Sequence, residues 1–334
     1  MHSSLPGRLA CRLTLVCAIG AITAFPAGTA LAQAAFPSKP IRLLVPFPPG
    51  GASDGSARLV AEAMSRQLNQ NVIVENRPGA AGLITGEAIA RAEPDGYMLM
   101  LGYNGLLAVS PFIVQKMPYD TLKDQTAVGK IADYPSVLAA NAKVDVRNWK
   151  DVLALSKKLP QGLFYGTSGS GSLDNLIGAV LAQSSGAHLV HVPYKGAGPA
   201  LTDAMGGHIP LSLTSLSGAL PYIKAGTLRP IAVSGAERSA FAPDVPTFTQ
   251  AGVPDNVVIT SSIGLIAPSK TPKPVIDVLN KALNTVLATP QLQHGLGELG
   301  MTPRPGTPDD YQAEIKRDYD RFGAIVKTAH IQAD

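Results

Sequence analysis

The chain has 334 residues, with 28 Lys and Arg against 24 Asp and Glu, 5% aromatics and two cysteines. A formal charge of +4 is too weak a bias to argue for a nucleic-acid or membrane surface. With 33 Gly and 28 Pro, tight turns should be frequent, and so few aromatics offer few stacking platforms.

The N-terminus reads as a secretory leader. Arg8 and Arg12 precede the uncharged run Leu13 to Ala24, and Ala30-Leu31-Ala32 ends it, which predicts cleavage after Ala32. The apolar run is shorter than the roughly 20 residues a spanning helix needs. Cys11 and Cys17 both lie inside this leader, so the exported chain would hold no disulfide. Removing residues 1–32 takes away two arginines and no acid, leaving 26 minus 24, or +2. About 300 residues then remain, more than one core usually holds, so two lobes are expected.

From residue 41 onward, short aliphatic runs alternate with helical patterns, the signature of an α/β fold with mostly parallel sheets. Ile41 to Val45 predicts a strand, and PFPPGG a loop. Ala57, Val60, Met64 and Leu68 then fall on one helix face, with Ser53 or Asp54 as its N-cap. Val72 to Val74 is the second strand, NRPGAAG the loop after it, Ile84 to Arg91 a helix and YMLML the third strand. Between Thr126 and Ala140 two apolar segments are split by Asp133-Tyr134-Pro135, a first crossing between lobes. A helix over Trp149 to Leu159, a strand over Leu163 to Tyr165, a Ser/Gly loop, a helix from Leu173 and a strand over Leu189 to Val192 follow. Val257 to Ala267 reads as a long strand that carries the chain back. Pro274 to Leu287 is helical, and Thr307-Pro308-Asp309-Asp310 opens a last helix with apolar face Tyr311, Ile315, Tyr319, Phe322 and Val326. The expected architecture is a discontinuous lobe 1 (33–131 plus 260–334), an inserted lobe 2 (132–259) and a cleft between them.

Gly51-Ala52-Ser53-Asp54-Gly55 satisfies G-x-S-x-G, the pattern of a hydrolase nucleophile elbow. That chemistry needs an oxyanion donor from an earlier strand loop, and here the serine follows the first strand of the exported chain. No later histidine (His188, His191, His208, His294, His330) has an obvious orienting carboxylate. A secreted serine hydrolase using Ser53 is thus the weaker reading. Glycines before a helix start leave N–H groups at the positive end of the helix dipole, a setting that favours an anion. YGTSGSGS, Tyr165 to Ser172, repeats this chemistry on the other lobe, so the two loops could hold a carboxylate from both sides. Neither is a phosphate loop, and Gly169-Ser170-Gly171 lacks the third glycine of a dinucleotide fingerprint. No cofactor is implied, and no Cys/His/carboxylate spacing suggests a metal.

PFPPGGASD, VENRPGAAG, ARAEPDGYML, YGTSGSGS, HVPYKGAGPALTDAMGGHI and LPYIKAGTLRPIAVS, in this order, resemble the Bug-type substrate-binding receptors of tripartite tricarboxylate transporters. The resemblance implies a periplasmic, type II-like Venus-flytrap protein, monomeric and not an enzyme, that closes on a small organic acid and delivers it to membrane permease subunits. A sensory receptor of the same fold, serving a sensor protein, is the alternative. It implies ligand contacts at Phe47, Gly51, Ala52, Ser53 and Asp54, with Asp54 capping the helix and holding water, and at Thr167, Ser168, Gly169 and Ser170. Three departures from the family pattern stand out. Asn175 replaces a usual His at a structural helix position. Thr214 replaces a frequent Asp that would suit an amino group, which leaves room for a plain carboxylic acid. Tyr103-Asn104 stands where smaller residues are usual and could narrow the pocket or stack on a ring.

Overall fold

The computed structural model describes residues 36–254, 258–329 and 331. The expected leader, His330 and the start of the return strand at Val257 lie outside them. Strand β1 (Ile41–Val45) leads through a Pro/Gly loop into α1 (Ala52–Leu68), then β2 (Val72–Asn76), a short turn at Ala80–Gly82, α2 (Leu83–Ala90) and β3 (Met98–Tyr103). A π-helical turn, Gly105–Val109, precedes the short helices α3 (Ser110–Ile113) and α4 (Thr121–Asp124) and strand β4 (Gln125–Tyr134). Beyond Pro135 come β5 (Ser136–Asn141), α5 (Trp149–Lys158), β6 (Leu163–Thr167), α6 (Leu173–Ser185), β7 (Leu189–Pro193), α7 (Ala197–Gly206), β8 (Leu211–Ser215), α8 (Leu216–Lys224) and β9 (Leu228–Val233). Strand β10 (Ser261–Pro268) opens the final stretch of α9 (Lys273–Leu287), α10 (Pro290–Glu298), β11 (Thr302–Pro303) and α11 (Pro308–Thr328).

Two sheets result, ordered β11-β4-β10-β3-β1-β2 and β7-β6-β8-β5-β9. The expectation of mostly parallel sheets is corrected: β1 pairs parallel with β2 and β3, and β6 with β7 and β8, but β4, β5, β9, β10 and β11 make antiparallel pairs. The reason is the crossing. β4 and β9 deliver the chain to the carboxyl edge of their sheets, so β5 and β10, which start at that edge, must run against their neighbours.

Each sheet is covered on both faces, which explains why its central strands read as nearly continuous apolar runs. In the first sheet Leu43, Leu99 and Leu265 meet α1 and α9, while Leu44, Met100 and Ile266 face α2 and the start of α11. In the second, Leu138 and Leu213 meet α5 and α6, and Val137 and Ala139 meet α7 and α8. Trp149 is buried against Phe248, the packing role its helix face suggests.

Helix α11 begins with the expected cap: Thr307 accepts from the Asp310 N–H, and Asp310 accepts in return from the Thr307 N–H. Its apolar face is divided. Tyr311 and Ile315 join the first sheet's core, Phe322 and Val326 the second's. Ala108 and Val109 of the π-helical turn also enter the second core, whereas Leu106 and Leu107 stay in the first. The return strand starts later than predicted, at Ser261, because the Ile259 N–H is taken by the Ser234 carbonyl and the Thr260 carbonyl by the Asn104 side chain.

Candidate functional site

Topology brings the two Ser/Gly-bearing loops to related places. Loop 46–51 leaves the carboxyl end of β1, and loop 168–172 the carboxyl end of β6. Those are the edges between which the chain crosses, at Tyr134-Pro135-Ser136 and again at Thr260. In open α/β sheets a ligand crevice forms outside these strand ends.

The first loop is built around Asp54. Helix α1 starts at Ala52 with Gly51 as N-cap, so neither Ser53 nor Asp54 caps it; both lie in its first turn. The Asp54 side chain folds back instead. It accepts from the Gly50 N–H (2.9 Å), Arg58 Nε (3.0 Å) and Asn76 Nδ2 (2.7 Å), and Asn76 Nδ2 also reaches the Phe47 carbonyl (3.0 Å). Burial pushes the carboxyl's pKa up, but the bonds from Arg58, Gly50 and Asn76 outweigh it and set the group at about 2. Asp54 is thus a neutralised staple. The N–H groups of Ala52, Ser53 and Asp54 find no acceptor among the described residues, as the start of a helix leaves them. Gly50 holds φ +94°, and the positions where side chains would stand at Gly50 and Gly51 are open space.

Phe47 packs on Tyr103 (ring centroids 4.9 Å apart), whose hydroxyl donates to the Ala81 carbonyl at 2.9 Å. Ala80 and Ala81 both have positive φ, a conformation costing of order 1 kcal/mol each outside glycine, so Tyr103 buttresses a strained turn. Asn104 is buried and engaged at the return crossing. Its Nδ2 donates to the Thr260 carbonyl (2.9 Å), and its Oδ1 accepts from the Ser262 N–H (3.4 Å).

In the second loop Thr167 is fully buried, its hydroxyl 2.7 Å from His191 Nε2 and accepting from the Gly169 N–H at 3.2 Å. Asn175 Nδ2 contacts the other ring nitrogen at 3.0 Å, so His191 joins the loop's base to α6. Ser172 caps α6 by accepting from the Asn175 N–H (3.1 Å). Ser168, Gly169 and Ser170 form the tip. Gly171, at φ +74°, lies against Ile113, so the loop touches the segment that follows Tyr103 and Asn104.

Thr214 is not brought to this face. It pairs with Val137, on the α7/α8 side of the sheet, and is fully buried with no partner for its hydroxyl among the described residues. Thr167, two residues on from Tyr165, lies on the α6 side.

Residues 56–331 match the model of the tripartite tricarboxylate transporter family receptor. The chain belongs to this receptor family. BugT of Bordetella pertussis is 32% identical over 293 residues, covering 87% of this chain and 90% of BugT. Rpa4515 of R. palustris, solved with adipate, superposes with a TM-score of 0.82 at 32% identity, over 90% of this receptor and all of that chain. MatC of Rhodopseudomonas palustris, solved with malate, gives 0.77 at 28%, over 87% and 100%. Family and fold are those of periplasmic substrate-binding receptors, and no described helix is long and apolar enough to cross a membrane.

The serine of the elbow pattern lies in the first turn of α1. Ser53 Oγ has no hydrogen-bond partner among the described residues, and its neighbours are a glycine cap and a salt-bridged aspartate. Sequence reasoning missed a group at the seam. Asp174, in the first turn of α6, accepts from Ser136 Oγ at 2.6 Å, and burial raises its pKa to about 6 although that bond lowers it. Its charge also acts on the phenols of Tyr134 and Tyr165. The signal was present in LDN just past the Ser/Gly loop, but its partner lies 38 residues away.

Proposed function

We propose that this receptor is exported by cleavage after Ala32 and captures a small organic acid between lobe 1 (33–131 plus 260–334) and lobe 2 (132–259). The carboxylate is held by the N–H groups that open α1 and α6, by Ser53, and by the tip Ser168-Gly169-Ser170. Closure bends the two crossings, Tyr134-Pro135-Ser136 and Thr260, while the closed monomer hands its ligand to permease subunits of a tripartite transporter in the periplasm. Asp54 shapes the first loop without touching the anion, and Phe47 with Tyr103 walls the pocket.

The observation that carries this reading is the pair of helix starts, α1 capped by a bare glycine and α6 by Ser172, at the carboxyl edges of two sheets joined by crossing strands. The acids bound by Rpa4515 and MatC support it. Hydrogen bonds to a charged group contribute roughly 1.5–3 kcal/mol each. About four of them, less immobilisation, are enough for the roughly 8 kcal/mol of a micromolar complex.

A thermal-shift panel of mono-, di- and tricarboxylates against neutral metabolites tests it, because a ligand bound only by the folded state raises its melting temperature. At least one acid stabilises the protein, and Ser53→Ala weakens that acid by about tenfold or more, the value of one lost hydrogen bond to a charged group of at least about 1.5 kcal/mol. Stabilisation by neutral compounds alone would overturn the assignment.

A further inference from the structure

Strand β3 runs beside β1 in a register that sets Leu44 against Met100. Carried three residues further, past the last backbone pair, that register sets Phe47 beside Tyr103, and the two rings meet there with centroids 4.9 Å apart. Side chains alternate along a strand, so Tyr103 shares the face of Leu99 and Leu101, which belong to the core under α1. On the other side of β3, Ile263 stands opposite Tyr103 and Ala132 opposite Ile263, and two residues along β4 Tyr134 lies on that face too. Phe47, Tyr103 and Tyr134 are each half-buried, packed against the edge of this core together with Ala52, the first residue of α1. An aromatic rim therefore borders the helix start whose first N–H groups find no acceptor among the described residues.

The rim is held in place. The Tyr103 hydroxyl donates to the Ala81 carbonyl at 2.9 Å, and a β-carbon at Gly105 would stand 2.8 Å from the ring's Cε2. The ring is thus fixed at its tip and along one edge, as well as by Phe47. A wall that is already ordered offers contact area without the cost of ordering it on binding. It offers no charge, and the acid in the same turn of α1, Asp54, is already engaged by Arg58 and Asn76. A second carboxylate set against this wall would exchange water for carbon. A ring in the same place would gain apolar contact and edge-to-face packing.

We propose that Tyr103 is the specificity-determining residue of the site, and that it selects arylcarboxylates, acids carried on or next to an aromatic ring, over straight-chain dicarboxylates. The inference rests on the carboxylate-receptor reading above and deepens it by naming the substrate class: the carboxylate sits at the start of α1 and the ring lies against Tyr103 and Phe47. The wall then sets this receptor apart from Rpa4515 and MatC, which were solved with straight-chain acids.

Calorimetry with benzoate, phenylacetate, adipate and malate decides it. The better of the two ring acids should bind the wild-type protein at least tenfold more tightly than the better of the two diacids. Tyr103→Ser removes the wall and should cut that ratio to threefold or less. Tyr103→Phe, which keeps the ring and loses only the bond to Ala81, should hold the ratio within threefold of wild type. Tyr103→Leu gives the same reading as the serine variant should that one fold poorly, because it keeps an apolar cover on the core. A wild-type ratio below tenfold, or a ratio above threefold in a folded serine or leucine variant, overturns the role of Tyr103 and leaves the receptor reading standing. A phenylalanine variant that falls with the serine variant overturns it too, since the effect would then belong to the tether on Ala81. Failure of these four acids and of every other carboxylate in the thermal-shift panel to bind overturns both readings.

Discussion

Asp54 carries more of the first loop than any other side chain, since three donors from three different segments converge on its two oxygens. The consequence is a defined pH dependence. Its folded-state pKa of about 2 lies below the ordinary 3.8, so the ionised form favours the folded state. That contribution is complete above pH 4 and is lost as the pH falls through 2. A shift of this size in so buried a group corresponds to about 2 kcal/mol. Urea denaturation should therefore show Asp54→Asn less stable than wild type by about 2 kcal/mol at pH 7, with the gap closing toward pH 2. An equal gap at both pH values would mean that shape, not charge, is what the loop uses.

Among the elements, the loop after β6 has the narrowest tolerance. Gly171 adopts φ +74°, where side chains are disfavoured, and a β-carbon there would collide with Ile113. Gly171→Ala should cost about 1–3 kcal/mol by chemical denaturation and weaken ligand capture with it, because Ser168 to Ser170 would be displaced. Gly186→Ala, at another left-handed position but with open space around it, separates backbone strain from the collision. The loops and most elements were legible because their signals are local: glycine and serine before a helix, apolar alternation, the Thr307 capping box. The mixed pairing of both sheets, the late start of β10 and the engagement of Asn104 were not legible. Each depends on partners far apart in sequence, such as Asn104 with Thr260 and Ser136 with Ser234. Asp174 escaped notice for the same reason.

For the molecule as a whole, the division of α11 matters. At 21 residues it spans about 30 Å, placing Tyr311 in one core and Phe322 in the other. Together with the π-helical turn it contributes to the cores of both sheets, so on the proposed reading closure has to bend the crossings at Tyr134-Pro135-Ser136 and Thr260 while α11 stays packed in both. The central claim is that one anion is held from both sides of those crossings. The most direct measurement is the backbone amide spectrum of the isotopically labelled protein during titration with the acid that stabilises it best. The account predicts that the amide resonances of Ala52 to Asp54 and of Ser168 to Gly171 shift together, along one binding curve. Shifts confined to a single loop, or absent from both, would contradict it.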